Sequence, residues 1–366
     1  MKVVVGISGG VDSAVAALLL QSQGHDVTGV YMQNWDEDDP ESTCNALQDA
    51  KAAIAVCEHL GIPLKTVNFA RDYWDRVFTY FLDEHRAGRT PNPDVLCNQE
   101  IKFKAFLDYA LTLGADRIAT GHHARITDYA SRPRLLKARD QAKDQTYFLC
   151  AIVSSALART LFPVGEFTKP EVRAIARALR LPNHDRPDST GICFIGERNY
   201  KTFLARYLPA QPGEIRSLDG DLMGRHDGLM YYTLGQRQGL GIGGPGTAWY
   251  VVGKDLATNV LYVAQGADHP ALYHRVLVAD AVHWFYEAPK AGARLAAKSR
   301  YRQQEQPCQI EPMSDGRLRV VFDTPQRALT PGQAVVFYDG EECLGGARIV
   351  TAETAAAEPS LRAASG

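Results

Sequence analysis

The residues that most constrain this chain are its first twenty. Val3-Val4-Val5 is a short, wholly apolar run that reads as a buried strand, and Ala14-Val15-Ala16-Ala17-Leu18-Leu19-Leu20 reads as a helix. Between them lies a turn of glycine and small polar residues, Gly6-Ile7-Ser8-Gly9-Gly10-Val11-Asp12-Ser13. A strand, a glycine-rich turn and a helix start make an anion site. Glycine lets the backbone come close, and the free N–H groups and positive dipole end of the helix face the bound charge. The turn lacks the Gly-Lys-Ser/Thr ending of the commonest phosphate loop, and it does not match G-x-G-x-x-G.

The rest of the first half repeats the pattern. Asp26–Met32 reads as a second strand, residues 45–60 as a helix stopped by Gly61-Ile62-Pro63, and Leu64–Phe69 as a third strand. This order predicts a doubly wound parallel α/β sheet with its ligand crevice at the carboxyl ends of the strands. Residues 73–86 read as a helix, and Gly88 to Asn98 as a polar, proline-punctuated loop before a helix from Lys102 to Leu113. A strand then ends in Gly121-His122-His123, and Thr168 and Pro170 open an amphipathic helix over 169–180. Two adjacent histidines on an extended chain diverge, so no metal site is expected there.

Length and composition limit the alternatives. The 366 residues suit two or three domains, and 45% hydrophobic with 22% charged residues is the balance of a soluble globular protein. No apolar run reaches the ~18 residues of a membrane span, and Met1-Lys2 leads straight into a strand, so a cytoplasmic, non-membrane protein is expected. The seven cysteines are odd in number, widely spaced and contain no C-x-x-C pair, against both a disulfide framework and a metal cluster. Cys97 and Cys193 stand out because each is flanked by turn-forming residues. A thiol near a helix start is pushed toward the thiolate.

Past residue 200 helical periodicity fades. Short alternating runs recur from Val276 to Val350, predicting a small β-barrel. A nominal G-x-G-x-x-G from Gly241 to Gly246 is followed by a strand where a helix is required, which rejects a dinucleotide site. The net charge of -2 excludes a uniformly basic nucleic-acid binder. Two local excesses remain: six basic residues against two acidic over 125–143, and eight against four over 290–327. Both are candidate RNA surfaces.

The loop Ser8-Gly9-Gly10-Val11-Asp12-Ser13 resembles that of the PP-loop ATP pyrophosphatases. With Tyr31-Met32-Gln33-Asn34-Trp35, Asn92-Pro93-Asp94-Val95-Leu96-Cys97-Asn98, Thr120-Gly121-His122, Lys143-Asp144-Gln145, Asp188–Ile195, Thr233–Arg237, Arg300-Tyr301 and Pro331-Gly332-Gln333, essentially the whole chain resembles the bacterial tRNA-specific 2-thiouridylases. That resemblance implies a PP-loop domain over 1–198, a small mixed central domain over 199–272, a C-terminal β-barrel over 273–353 and a disordered tail over 354–366.

It also implies an activity, ATP-dependent 2-thiolation of the tRNA wobble uridine. ATP with Mg²⁺ adenylates the C2 oxygen, and a cysteine persulfide then delivers sulfur. Gly6, Ile7, Ser8, Gly9, Gly10, Val11, Asp12 and Ser13 would hold the phosphates, and Met32 and Gly121 the adenosine. Cys193 would carry the persulfide, Cys97 would close a disulfide with it, and Asp94 would act as acid/base. Asn92, Pro93, Asp94, His122, Lys143, Asp144, Gln145, Arg300, Tyr301 and Gln333 would contact tRNA. The implied partners are the Lys, Glu and Gln isoacceptors and a persulfide sulfur-donor protein, with the enzyme a monomer. The competing reading is another PP-loop tRNA-modifying enzyme, which would not need two cysteines.

Overall fold

The strand β1 (Lys2–Gly6) carries Val3, Val4 and Val5 fully buried, and successive side chains of a strand face opposite ways. Val3 and Val5 pack with Ile7, Leu20, Val27 and Cys57, whereas Val4 packs with Val30, Phe106 and Ile118. Both faces of the sheet are therefore covered. A computed structural model of the chain describes residues 1–35, 40–127, 132–188 and 200–353, so the tail over 354–366 and Cys193 lie outside the described residues.

Helix α1 (Val11–Ser22) follows β1, then come β2 (Asp26–Gln33), α2 (Pro40–Leu60) and β3 (Leu64–Asn68). With β4 (Arg117–Ala119) and the short strand Thr160–Leu161 they form a five-stranded, wholly parallel sheet in the order β3-β2-β1-β4-(160–161). β1 has β2 on one side and β4 on the other, so the strand order reverses there. That reversal opens the crevice where the glycine-rich turn sits.

The helix after Gly88 starts earlier than the sequence suggests. The loop expected through Asn98 ends at Asn92. Asn92 caps the helix, its side chain accepting from the N–H groups of Asp94 and Val95, and Pro93 occupies the first turn. The helix runs Pro93–Cys97, widens to a π-type spiral over Asn98–Ala105 and finishes as Phe106–Thr112. Asn-Pro read as loop punctuation is here a helix cap. Cys97 consequently sits in a helix rather than a loop.

Beyond residue 200, a four-stranded sheet is built from Gly213–Ser217, Leu222–His226, Trp249–Asp255 and Val260–Gln265. Six further strands between Tyr273 and Glu353 close into a barrel, because Tyr273–Trp284 pairs with both Leu318–Arg327 and Glu342–Glu353. One barrel strand, Gln306–Pro312, is not evident from the sequence, since Pro307 and Pro312 disguise its alternation. Among the described residues no helix is long and apolar enough to cross a membrane.

The barrel also explains the first basic stretch. Ala124–Thr127 and Arg134–Lys137 form a hairpin that extends the barrel sheet, Leu135 pairing with Cys343. Its cations meet acids there: Arg125 pairs with Glu341, Arg134 with Glu342, Lys137 with Glu305 and Arg132 with Glu287. Much of the local positive excess is thus paired where the hairpin meets the barrel, with only Lys137 of these four cations buried. The excess over 290–327 is partly paired in the same way, through Arg294–Asp323, Arg317–Asp315 and Arg319–Glu311.

Candidate active site

The glycine-rich turn folds around two serines. Ser13, in the first turn of α1, accepts from the Ser8 N–H at 3.2 Å and donates to the Gly10 carbonyl at 3.1 Å. Gly10 N–H donates to the Ser8 hydroxyl. Gly9 has φ +79, and a Cβ there would stand 2.6 Å from the Asp49 carbonyl and 2.7 Å from Arg186 Nη1. Asn183 and Arg186 both donate to the Gly9 carbonyl, at 2.9 and 3.2 Å, and Arg186 also pairs with Asp49. The loop is thereby braced from behind, leaving its concave side for a ligand.

Met32 and Gly121 flank this turn. Met32 Cε lies 3.1 Å from where a Gly6 Cβ would stand. A Cβ on Gly121 would come within 2.5 Å of Ser13 N and 2.7 Å of the Asp12 carbonyl carbon, both backbone. Only glycine permits that approach. Gly121→Ala is expected to push the Gly121 backbone and the α1 start apart and to destabilise the fold by about 1–3 kcal/mol, as overpacking does, which urea midpoints check.

A cluster of charges stands beside the turn. Lys169, only 10% exposed at its side chain, donates to both carboxylate oxygens of Asp12 at 2.6 and 2.7 Å and reaches Asp188 at 2.8 Å. Lys143 and Arg173 also hold Asp188, at 2.8 and 2.6 Å. Burial works against the charge on Asp188, but the three cations win and hold its carboxyl far below the usual range. Asp12 is likewise held low. Burial opposes it, and the contacts with His123 and Lys169 overcome it. Residue 188 directly precedes the segment that carries Cys193, so Lys169 ties the phosphate loop to the start of that segment.

Lys169 is a residue the sequence reading missed. The sequence marks it only as part of a capped helix start, and that cap is real: Thr168 and Glu171 form a reciprocal capping box. A lysine in the first turn opposes the helix dipole, and that mismatch is the signal that could have flagged it.

The residues proposed for tRNA contact fall into two groups. Asn92, Gln145, Arg300, Tyr301 and Gln333 lie around the short helix Thr146–Leu149. The Tyr147 hydroxyl donates to the Ala334 carbonyl at 3.0 Å, Tyr301 packs on Phe148 at 4.4 Å between ring centres, and Asn98 donates to the Phe148 carbonyl. Arg300 donates to the carbonyls of Leu234 and Ala328, and Gln145 accepts from the His123 N–H. Pro93 and Asp94, half-buried in the first turn after Asn92, share this region through the packing of their helix on Thr146–Leu149.

Asp144 is turned inward, and His122 is half-buried. Asp144 is buried and accepts from the Ala138 N–H and the Thr146 hydroxyl, with Lys298 at 3.7 Å. His122 bonds through Nδ1 to the Thr120 hydroxyl, and burial, with Lys102 and His123 nearby, keeps it neutral. Lys143 is engaged with Asp188.

Cys97 is fully buried within the main core cluster. Burial pushes the thiols of Cys57 up to about 11 and of Cys150 and Cys308 up to about 12, and holds that of Cys343 well above the ordinary thiol range, which marks these four as inert packing residues. The side chain of Cys44 is outside the described residues.

Family models match the three parts of the chain: a tRNA methyl transferase HUP domain over residues 1–197, a tRNA methyl transferase PRC-barrel domain over 201–265, and an aminomethyltransferase β-barrel domain over 274–349. A relative from Pseudomonas paraeruginosa, a tRNA-specific 2-thiouridylase MnmA, is 60% identical over 360 residues, covering 96% of this chain and 95% of its own. The MnmA of Halalkalibacterium halodurans is 56% identical over 95% of this chain and 94% of its own. This chain belongs to the tRNA-specific 2-thiouridylase family. The family match spans all three structural parts, from the phosphate turn to the last barrel strand. The domain descriptions speak of methyl transfer, but full-length identity of 56–60% outweighs the wording attached to a single domain. A solved 4-thiouridine synthetase–RNA complex with bound ATP overlays at TM-score 0.34 and 17% identity, covering 56% of this chain and 49% of that one, too loosely to carry an argument.

Proposed function

We propose that this protein converts a tRNA uridine to 2-thiouridine in two steps, activation of the C2 oxygen with ATP and replacement by sulfur from a cysteine. The observation that carries the reading is the braced anion turn at the sheet's crevice, in a chain matched along its whole length by the thiouridylase family. The C2 oxygen of uracil is a poor leaving group. ATP, when bound, supplies an adenylyl group that converts it to a good one, with pyrophosphate released.

The chain's own residues bind and orient. The N–H groups of Gly9, Val11, Asp12 and Ser13 and the α1 dipole would face the phosphates, the Gly10 N–H being held by the Ser8 hydroxyl, while Met32 and Gly121 would shape the neighbouring pocket. Asp94, half-exposed in the first turn after Asn92, is the acid/base beside the base. Mg²⁺ fits here only as an ion brought by the phosphates. Among the described residues no three His, Cys, Asp or Glu side chains gather to hold a metal, and both oxygens of Asp12 are taken by Lys169.

The sulfur chemistry balances with two cysteines. A persulfide on Cys193, loaded by a sulfur-donor protein, attacks C2 with its outer sulfur, and AMP leaves. The Cys97 thiolate then attacks the Cys193 sulfur, the persulfide S–S bond breaks toward the base, and a Cys97–Cys193 disulfide forms. A dithiol reductant returns both thiols. Because Cys97 is buried, the helix start that carries it must open, or the Cys193 segment must insert beside it, during transfer. The wobble uridine of the Lys, Glu and Gln isoacceptors is the proposed target, since an anticodon loop presents an unstacked base. The domain limits near 198, 272 and 353 and a monomeric, cytoplasmic enzyme belong to the same proposal.

The test is nucleoside mass spectrometry of unmodified tRNA incubated with the protein, ATP, Mg²⁺ and sulfide. The expected product is 2-thiouridine with one AMP per sulfur inserted. AMP release with no sulfur in the tRNA would transfer the assignment to the competing PP-loop chemistry on another substrate.

A further inference from the structure

Gln333 belongs to the barrel turn Pro331-Gly332-Gln333, yet its side chain serves another part of the protein. Its Nε2 donates to the Thr90 carbonyl at 2.7 Å and lies 3.4 Å from the Pro91 carbonyl. The same turn grips Thr90 through the backbone, since the Thr90 N–H donates to the Pro331 carbonyl at 2.9 Å. Gly332, at φ +92, approaches so closely that a Cβ would stand 3.0 Å from three backbone atoms of Thr90. On the opposite side, the Thr233 hydroxyl meets that of Thr90 at 3.2 Å, and Lys254 donates to the Gly88 carbonyl at 2.9 Å.

What this grip controls follows from the next residue. Asn92 comes directly after Pro91, and its side-chain oxygen caps the helix by accepting from the Asp94 and Val95 N–H groups at 3.1 and 3.4 Å. The position of that oxygen depends on the orientation of the Thr90–Pro91 and Pro91–Asn92 peptides. A carboxamide N–H₂ offers two donors, which suits two successive carbonyls. Gln333 itself is anchored, its N–H donating to the Thr330 carbonyl and its carbonyl accepting from Ile349.

We propose that Gln333 is a positioning residue whose side-chain amide, held by the barrel wall, fixes the Thr90–Pro91 peptides and thereby the Asn92-capped helix that carries Asp94 and Cys97. The barrel is then part of the machinery that sets the base-modifying segment, besides any surface it offers to RNA. The inference rests on the proposed role of Asn92–Cys97, and it gives Gln333 a role within the fold besides the tRNA contact expected of it.

The test uses the full-length protein and the variants Gln333→Ala and Gln333→Glu, the second of which turns a donor into an acceptor facing two carbonyls. Hydrogen exchange of the peptide spanning residues 88–100, measured without tRNA or ATP, is expected to quicken about tenfold at the Asp94 and Val95 amides, from the loss of one buried hydrogen bond. Thiolation at saturating tRNA, where any loss of tRNA affinity no longer counts, is expected to fall about tenfold. Unchanged exchange would overturn the proposal, whether tRNA affinity drops, as for a direct contact, or stays the same. If Gln333→Ala does not fold, Gln333→Asn, one methylene too short to reach Thr90, carries the same measurements. The exchange arm needs neither substrate, so it stands even if the reaction proves to be another.

Discussion

Replacing Cys97 with alanine or serine is expected to lower persulfide-driven thiolation about 10³-fold while sulfide-driven thiolation stays within about threefold of wild type. The reasoning starts from the two sulfur sources. Free hydrosulfide can displace AMP from an activated C2 without any enzyme thiol. A persulfide on Cys193 cannot release its product until a second thiolate cleaves the S–S bond, and Cys97 is the candidate. The residue is fully buried, so the variants also have a structural effect. Serine leaves a hydroxyl in an apolar site at a cost of about 1–3 kcal/mol, and alanine leaves a small void instead. A purely structural residue would therefore weaken both sulfur routes together and respond differently to Ala and Ser. The comparison is made by mass spectrometry of 2-thiouridine with each source, alongside urea unfolding of each variant. Equal loss in both routes would reassign Cys97 to packing, as its burial alone suggests.

Much of this site is legible in the sequence because local chemistry dictates it. The turn from Gly6 to Ser13 reads as a strand-to-helix turn and is one, and the parallel sheet follows from the order of the first elements. What the sequence conceals is mostly pairing across distance. Arg125, Arg134 and Lys137 look like a nucleic-acid surface until Glu341, Glu342 and Glu305, about 200 residues later, are brought against them. Asp144 sits in a polar motif yet folds inward, because it completes the hydrogen bonds of Ala138 and Thr146. The helix at Pro93 was read as a loop because Asn-Pro serves equally as punctuation and as a cap, and only the Asp94 and Val95 N–H groups decide between them. Gln333 and Lys169 share a lesson. Each is defined by the distant group that its side chain reaches.

Lys169→Met is expected to raise the KM for ATP about 30-fold, to lower its turnover, and to destabilise the fold by about 3 kcal/mol. Removing the ammonium leaves Asp12 and Asp188 facing one another beside the anion turn. Breaking one partner of a buried ion pair typically costs about 3–5 kcal/mol, and the partial exposure of both carboxylates places this case at the lower end. The loss of ATP affinity has a separate cause. Asp12 lies in the first turn of α1, and its charge, no longer neutralised, repels the phosphates that the turn is proposed to receive. Acid titration separates this account from simple unfolding. Both carboxyls titrate below their ordinary range in the folded protein, so the unfolded chain binds more protons there. Their stabilisation is complete above the ordinary carboxylate pKa of about 4 and is lost as pH falls through the lower folded values. In Lys169→Met both folded values rise toward the ordinary range, and the slope of stability against pH between about 5 and 2 flattens. Urea midpoints across that range read the slope, and AMP release against ATP concentration reads the KM. A variant that keeps the wild-type acid slope and KM would show that Arg173, Lys143 and His123 suffice to hold the two carboxylates, leaving Lys169 as a bystander.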